Sequence, residues 1–185
     1  PLFNRSLLGT YAPGSCYKPI VGVAALQEGV AQPKSTVHCG HVYNYFEDYK
    51  PRCLGCHGNI NVMDAIKYSC NIYFYDVGRI LGIDRINKYS KQFGFASHTG
   101  IQLLENIGQL ASPKLRNSLG MKWYPGDVLQ ASIGQSDNLA TPLQFANYAA
   151  TLANRGKRMD VSIIKKIISY DKKNVIYEHV PTVKC

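Results

Sequence analysis

Four of the six cysteines of this 185-residue chain crowd into one stretch, and they set the strongest constraint on how it can fold. They are Cys39, Cys53, Cys56 and Cys70, and three histidines lie among them, His38, His41 and His57. Residues 30–60 have no clear apolar periodicity, which predicts a long irregular excursion rich in Cys and His. A loop of that length inside a compact domain needs a tether, and a metal site or disulfides would supply one.

Helical patterns dominate the rest of the chain. The predicted helices span residues 15–27, 61–68, 72–81, 84–93 and 142–154. Asp84 is predicted to cap the fourth helix, and Thr141 with Gln144 forms a capping-box pattern at the start of the fifth. Strands are predicted only near the end, as two strands around a polar turn within residues 161–178. The expected fold class is therefore α+β, mainly helical, with an incomplete sheet.

Charge and hydropathy exclude some classes of protein. The net charge is +9, from 21 Lys and Arg against 12 Asp and Glu, which suits anionic partners. The basic residues are scattered in runs of no more than two, which favours a solvated basic surface over nucleic-acid binding. No run of 18 apolar residues is present, so the sequence predicts no membrane-spanning segment.

The stretch PGSCYKPI places a hydroxyl and an amine three residues apart, at Ser15 and Lys18. If Ser15 begins the first predicted helix, both side chains lie on one face of it. A serine becomes a nucleophile when a base takes its proton, and a lysine can be that base when burial depresses its pKa. The alternative is a serine cap followed by a solvated lysine.

A second polar motif, Ser69-Cys70-Asn71, lies at the break between two predicted helices. Ser69 could relay a proton, and the Asn71 amide could orient Lys18 or a substrate carbonyl. The alternative is an ordinary polar turn, where Ser and Asn are common.

The order S-x-x-K then S-x-N is that of penicillin-recognising serine acyltransferases. Three stretches, NRSLLGTYAPGSCYKPIV, the segment from HGNINVMDAIKYSCNIYFYDVG to HTGIQL, and WYPGDVLQASIGQSDNLATPLQFANYAATLANRG, resemble class B penicillin-binding proteins of the cell-elongation type. The resemblance implies a penicillin-binding, serine β-lactamase-like transpeptidase fold. It implies Ser15 as the nucleophile, Lys18 as the base, and Ser69 and Asn71 as the supporting pair.

The family's third motif, K-T-G or K-S-G, is missing from the sequence. Residues 1–185 are therefore expected to be part of a transpeptidase domain, without the family's N-terminal anchor, its pedestal or the strand that carries the third motif. Such a piece alone is expected to be inactive, because one wall of the cleft would be absent.

Cys70 is the middle residue of the second motif, so whatever binds it lies at the cleft. Some elongation-type relatives carry a metal at matching positions, which implies structural zinc on Cys39, Cys53, His57 and Cys70, with Cys56 competing with Cys53. The alternatives are a Cys39–Cys53 disulfide, since the family works outside the cytoplasm, or free thiols.

The resemblance implies a peptidoglycan D,D-transpeptidase that cross-links stem peptides and is acylated by β-lactams. It also implies a membrane-anchored protein on the extracytoplasmic face of a bacterial cell membrane, with a wall-synthesis glycosyltransferase as partner and no nucleic-acid ligand. Two other functions remain open at this stage: a β-lactam sensor or scaffold without turnover, and a basic zinc module that binds nucleic acid.

Overall fold

The computed structural model of the chain describes residues 3–185. Its helices are α1 (Arg5–Leu8), α2 (Lys18–Gln27), α3 (Val62–Lys67), α4 (Asn71–Leu81), α5 (Ile83–Gln92), α6 (Pro113–Ser118), α7 (Asp127–Ser132) and α8 (Pro142–Ala153). Its strands are β1 (Val37–Cys39), β2 (Gly58–Ile60), β3 (Lys166–Ile168) and β4 (Val175–Glu178). No helix within residues 3–185 has the length and apolar character needed to cross a bilayer. The mixed, mostly helical content confirms the α+β prediction.

The chain divides into two compact units. One comprises the described residues up to Tyr11 together with Lys91–Gly108 and Ala140–Cys185. The other comprises Ala12–Ser90 and Gln109–Leu139, and it contains both polar motifs and the Cys/His-rich excursion.

In the second unit, helix α4 is the centre of the core and packs against α2, α3, α7 and β1. The apolar faces of α2 and α4 are fully enclosed, and Ile20 and Phe74 have no exposed surface. Burying a side chain of this size stabilises the fold by about 1.5–3 kcal/mol. Helices α4 and α7 come very close, because a Cβ on Gly78 would lie 2.4 Å from the Cβ of Ser132.

The first predicted helix exists, but its first turn is tighter than an α-helix. Residues Gly14–Tyr17 form a 3-10 turn, and α2 continues from it at Lys18. Pro19 lies in the first turn of α2, where the backbone N–H groups have no intrahelical partner, so the proline costs the helix little.

The excursion at residues 30–60 contains strands that the sequence did not predict. Strands β1 and β2 pair antiparallel, with Val37 opposite Ile60 and Cys39 opposite Gly58. The expectation that strands occur only near the chain's end is therefore wrong. Each strand has only three residues, one aliphatic residue and two drawn from His, Cys, Gly and Asn, and three residues are too few to show an alternating pattern.

The other unit confirms the capping box. The Thr141 side chain accepts a hydrogen bond from the Gln144 backbone N–H, and the Gln144 side chain accepts one from the Thr141 N–H. Phe95 packs edge-to-face against Phe145 and Tyr148 of α8. The two strands expected near the end are β3 and β4, an antiparallel hairpin whose residues are all exposed.

One predicted helix start is wrong by a residue. Helix α5 begins at Ile83, directly after Gly82, so Asp84 lies inside its first turn and does not cap it. The acidic side chain still lies at the favourable end of the helix dipole.

Candidate functional site

Ser15 and Lys18 are held by regular structure at the start of α2. Ser15 lies in the 3-10 turn and is exposed, so a substrate can reach its hydroxyl. Lys18 is the first residue of α2 and is only 1% exposed. The solvated-lysine alternative therefore does not describe Lys18, because this side chain points into the protein.

Ser69 and Asn71 lie on either side of the break between α3 and α4. Ser69 has a φ of 54°, a left-handed conformation that is uncommon for a residue with a side chain. Cys70 precedes the first residue of α4 and is buried, and Asn71 begins that helix. An observed backbone outlier of this kind costs on the order of 1–3 kcal/mol and persists where surrounding contacts fix it.

The structure brings the four candidate catalytic residues into one hydrogen-bonded cluster. The Lys18 Nζ donates to the Ser69 carbonyl oxygen at 2.7 Å, to the Ser69 Oγ at 2.9 Å and to the Asn71 Oδ1 at 2.7 Å. The Ser69 Oγ is in turn 2.9 Å from the Ser15 Oγ. A continuous path of hydrogen bonds thus joins the exposed hydroxyl of Ser15 to the buried amine of Lys18.

Burial lowers the pKa of Lys18 to about 8. The charged form loses its hydration, and this effect outweighs the opposing influence of the neighbouring thiols Cys53 and Cys70. The Phe74 ring, whose centroid is 5.7 Å from the Lys18 Nζ, forms part of the apolar surroundings. A lysine with a pKa near 8 has a useful neutral fraction at physiological pH and can accept a proton.

A second cluster lies beside the first and contains Cys39, Cys53, His57 and Cys70. Their ligand atoms all lie within 4.8 Å of one another. The His57 Nδ1 is 3.3 Å from the Cys39 Sγ and 3.7 Å from the Cys53 Sγ, and the Cys53 and Cys70 sulfurs are 3.9 Å apart. A tetrahedral zinc with Zn–S about 2.3 Å and Zn–N about 2.0–2.1 Å requires S–S near 3.8 Å and S–N near 3.6 Å. The donor set and its spacing fit zinc.

The second cluster contacts the first through Asn71. The Asn71 backbone N–H donates to the Cys53 Sγ at 3.2 Å, and the Asn71 Nδ2 donates to the Arg52 carbonyl oxygen at 3.3 Å. Because the Nδ2 is engaged there, the Oδ1 of the same amide faces Lys18. The excursion thus orients the Asn71 side chain.

The two thiols nearest Asn71, those of Cys53 and Cys70, have pKa values shifted in opposite directions. Burial raises the pKa of Cys70 to about 12. Burial also acts to raise the pKa of Cys53, but hydrogen bonds from the backbone N–H groups of Gly55, Asn71 and Ile72 outweigh it and lower that pKa. The N–H groups favour the thiolate form of Cys53, which is the form that binds metals.

The remaining cysteines and histidines of the sequence lie outside this cluster. Cys56 is exposed, and its Sγ lies 3.5 Å from the Cys39 carbonyl oxygen. Cys39 and Cys53, the pair of the alternative disulfide, are both free thiols in the structure. His38 contacts Asn59 across the two short strands, with 3.0 Å between the His38 Nδ1 and the Asn59 Oδ1.

Sequence reasoning missed a backbone contact under Ser15. The Gly14 N–H donates to the Gly134 carbonyl oxygen at 2.8 Å. Gly134 has a φ of 73°, and a Cβ there would lie 2.2 Å from the Gly14 carbonyl oxygen, so only glycine fits. Gly134 lies within the third stretch that carries the family resemblance, but a contact across 120 positions has no local signal.

The comparisons with known proteins agree with this geometry. Residues 1–183 match the penicillin binding protein transpeptidase domain. The peptidoglycan D,D-transpeptidase MrdA of Acinetobacter baumannii is 34% identical over 173 residues, which cover 89% of this chain and 25% of that protein.

Two solved structures have the same fold. Penicillin-binding protein PBP2 of Pseudomonas aeruginosa, in complex with WCK 5153, has a TM-score of 0.83 at 32% identity, covering 100% of this chain and 43% of that one. A chain of a peptidoglycan synthase complex, described as coordinating polymerization and crosslinking, has a TM-score of 0.80 at 32% identity, covering 89% of this chain and 29% of that one.

The chain spans about a quarter of the length of the curated relative it matches. Within that part, the family match extends over both polar motifs, the excursion and the terminal hairpin. The chain belongs to the penicillin-binding protein transpeptidase domain family.

Proposed function

We propose that the protein containing this chain is a peptidoglycan D,D-transpeptidase, with Ser15 as its nucleophile. The observation that carries the proposal is the hydrogen-bonded path from the Ser15 Oγ through the Ser69 Oγ to the Lys18 Nζ. An exposed hydroxyl connected to a buried amine of lowered pKa is the arrangement that an acyl-transfer enzyme needs. The relatives named peptidoglycan D,D-transpeptidase give the substrate class.

In the proposed first step, the Ser15 hydroxyl attacks the carbonyl of the penultimate D-Ala of a stem peptide. The neutral Lys18 amine accepts the proton, which travels through the Ser69 hydroxyl. When Lys18 is neutral, the Ser15 hydroxyl donates to the Ser69 Oγ, and the Ser69 hydroxyl donates to the Lys18 Nζ. Donor and acceptor are exchanged relative to the ammonium form, and rotation of the hydroxyl groups allows this exchange. A new Ser15–acyl ester forms, and the terminal D-Ala leaves with a proton returned by the Lys18 ammonium through Ser69.

In the second step, an amine of a neighbouring stem peptide attacks the ester. Lys18, again neutral, takes the proton of the incoming amine, and the released Ser15 hydroxyl regains one. Asn71 keeps Lys18 in place through the 2.7 Å contact with its Oδ1. A β-lactam enters the same first step, and its ring-opened acyl group stays on Ser15.

We also propose that Cys39, Cys53, His57 and Cys70 hold a structural zinc ion. Bound there, zinc would supply a rigid tetrahedral link and no chemistry at the substrate, because four protein ligands leave no open position. It would fix the excursion to the S-x-N turn, so that the Arg52 carbonyl and the Cys53 sulfur hold Asn71.

The proposal extends to the cellular setting. The proposed protein works on the extracytoplasmic face of a bacterial membrane, to which it is anchored, and its partner is a glycan-polymerising enzyme. The similarity to a chain of a peptidoglycan synthase complex that coordinates polymerization and crosslinking supports the proposed partner. Residues 1–185 would be part of the transpeptidase domain, with the third motif contributed by residues outside them.

The test is to incubate the full-length protein with a labelled penicillin and to locate the adduct by peptide mass spectrometry. We expect the label on Ser15, no label in Ser15→Ala, and normal labelling in Ser6→Ala, which removes an exposed serine hydroxyl. Labelling that survives in folded Ser15→Ala would refute the proposed nucleophile.

A cross-linking assay with stem peptides then separates an enzyme from a sensor. A transpeptidase joins two peptides repeatedly and releases one D-Ala per bond. A protein that is labelled on Ser15 but never forms cross-links would be the sensor or scaffold.

A further inference from the structure

Three of the four thiols between residues 39 and 70 form a buried set, and the fourth lies at the surface. Cys39, Cys53 and Cys70 are at most 3% exposed, whereas Cys56 is exposed. Only two residues separate Cys53 from Cys56, and one of them, Leu54, is 92% exposed. This stretch of the excursion faces solvent, so it connects an accessible thiol to a buried one.

The contacts of the buried thiols single out one pair. The Cys53 and Cys70 sulfurs are 3.9 Å apart and touch each other. The Cys39 sulfur is turned elsewhere, toward the Gly55 carbonyl oxygen at 3.5 Å and the His57 Nδ1 at 3.3 Å. Two sulfurs in contact need to approach by only about 1.9 Å to reach the S–S bond length of about 2.05 Å. The geometry therefore favours a disulfide between Cys53 and Cys70.

The exposed Cys56 is connected to this pair through Cys53. Cys53 and Cys56 have the C-x-x-C spacing of thiol–disulfide redox motifs. The chain bends at the two residues between them, which brings the two thiols toward each other. The Cys56 sulfur lies over the base of the same loop, 3.5 Å from the Cys39 carbonyl oxygen. An oxidant that reacts with Cys56 at the surface can therefore pass its effect to Cys53.

We propose that Cys56, Cys53 and Cys70 form a peroxide-sensitive thiol relay that ends in a Cys53–Cys70 disulfide. Hydrogen peroxide oxidises the Cys56 thiol to a sulfenic acid, and the peroxide is reduced to water. The Cys53 thiol attacks the Cys56 sulfur, an S–S bond forms, and a second water leaves. The Cys70 thiol then attacks the Cys53 sulfur, and Cys56 leaves as a thiol with the proton. In total, two thiols and one hydrogen peroxide give one disulfide and two waters.

Burial favours the last exchange of the relay. A disulfide between Cys53 and Cys56 has one sulfur at the surface, and exposed disulfides are the easily reduced ones. The Cys70 sulfur is completely enclosed, so a Cys53–Cys70 disulfide is protected from reductants in solution. The oxidation thus starts where peroxide has access and ends where the bond is protected.

The disulfide also removes two of the four proposed metal ligands. The thiol of Cys39 and the imidazole of His57 remain, and two ligands do not complete the four-ligand set of a structural zinc site. Oxidised protein should therefore take up no zinc, whereas reduced protein keeps all four ligand atoms within 4.8 Å of one another.

Asn71 lies against the same pair of thiols. Its N–H donates to the Cys53 Sγ at 3.2 Å, and its side chain donates to the carbonyl oxygen of Arg52, next to Cys53. Cys70 directly precedes α4 and is completely enclosed, so the excursion moves toward Cys70 when the bond forms. This movement shifts both partners of Asn71. Resting on the proposed function, the disulfide therefore slows acylation of Ser15 while the excursion stays attached to α4.

The test starts from the full-length protein, reduced and freed of metal by a chelator, and adds hydrogen peroxide. The remaining thiols are then alkylated, and tandem mass spectrometry without reductant locates the linked residues. We expect a bond between Cys53 and Cys70, with Cys39 and Cys56 alkylated. Dimedone, which traps sulfenic acids, should label Cys56 when it is present during the oxidation and should lower the yield of the disulfide.

The matched variants each remove one exposed thiol. Cys56→Ser should slow formation of the disulfide at least about tenfold, because peroxide must then reach buried sulfurs directly. Cys185→Ser should be oxidised within about twofold of the wild-type rate, since its thiol lies outside the relay. A melting curve reports whether each variant is folded. If Cys56→Ser is unfolded, dimedone labelling of the wild-type protein decides, and label on Cys53 or Cys70 in place of Cys56 contradicts the relay.

Zinc uptake and penicillin acylation report the consequences of the disulfide. Elemental analysis after incubation with zinc should find the metal in the reduced protein and none in the oxidised protein, and dithiothreitol should restore uptake. Oxidised protein should be acylated at least about tenfold more slowly than reduced, zinc-loaded protein, as expected for displaced catalytic groups.

Three results would overturn the inference: thiols that stay reduced, a bond from Cys39 to Cys53 in place of Cys53–Cys70, or oxidation of folded Cys56→Ser at the wild-type rate. The disulfide map does not depend on acylation, which separates the two proposals. Normal label on Ser15 without the disulfide contradicts the relay alone. The disulfide in a protein that penicillin never labels contradicts the proposed reaction and leaves the relay in place.

Discussion

Ser15 and Lys18 stand at the start of α2, a helix whose core side chains are completely enclosed, whereas Ser69 and Asn71 flank a left-handed residue between two helices. The first pair keeps its geometry through helical hydrogen bonds and packing. In the second pair, Asn71 is held by contacts from a distant loop, the Cys53 sulfur and the Arg52 carbonyl. The candidate catalytic cluster therefore has one half fixed by local structure and one half held by contacts with the excursion.

This difference between the two pairs predicts two kinds of mutational effect in the site. A change in the helical pair should remove a chemical group and leave the architecture intact. A change in the tether should leave every catalytic group present and displace two of them. The first kind alters rate alone, and the second alters rate and stability together.

After Ser15→Ala, which should abolish labelling, the largest effect should come from Lys18→Ala. Removing a general base lowers the acylation rate by about two orders of magnitude or more. The measurement is the rate of penicillin acylation of the full-length protein, with Lys67→Ala, an exposed lysine on α3, as the control. A folded Lys18→Ala protein that is acylated at a near-normal rate would assign the base to another group.

Cys70→Ser should have the next largest effect on the acylation rate. It tests whether the proposed zinc ion fixes the excursion to the S-x-N turn. Displacing Ser69 and Asn71 by on the order of 1 Å can cost about a hundredfold in rate. We expect slower acylation and a lower melting temperature, with the same two losses when a chelator is added to the wild-type protein. The control is Cys185→Ser, which removes an exposed thiol.

Elemental analysis completes this test, with one zinc per chain expected. A Cys39–Cys53 disulfide would instead make the protein sensitive to reductant and indifferent to chelator. A metal-free protein with full activity would rule out the tether in the form proposed here.

The pH dependence of acylation should have a smaller effect, and it reports on Lys18 directly. Lys18 accepts a proton only when neutral, and its pKa is lowered to about 8. Below that pH the neutral fraction falls about tenfold per unit, so the rate should rise with pH and level off above about 8. A rate that still climbs steeply beyond pH 10 would mean that the base has the pKa of an ordinary exposed lysine.

The smallest effect should come from Thr141→Ala, in the unit without the catalytic cluster. Loss of the cap on α8 should lower the free energy of unfolding by about 1 kcal/mol, measured by urea denaturation. The acylation rate of folded molecules should not change. A large loss of acylation in folded Thr141→Ala would show that the cap on α8 affects the geometry of the candidate catalytic cluster.

The features held by local structure could be predicted from the sequence, and those that depend on distant segments could not. The spacing of Ser15 and Lys18, and the capping box at Thr141, are local patterns that the structure reproduces. The strands β1 and β2 and the contact between Gly14 and Gly134 join segments far apart in the chain, so local patterns do not contain them. Ser69 lay within a recognisable motif, but its left-handed backbone depends on contacts made by other segments.

The close approach of Gly134 to Gly14 limits how this protein can evolve. Any side chain at position 134 would overlap the backbone of Gly14, directly before Ser15. For the proposed transpeptidase, no gradual route to altered drug binding runs through this position, because each substitution would displace the proposed nucleophile first. We expect substitutions to be tolerated instead where side chains have room to vary, as at the exposed Tyr124.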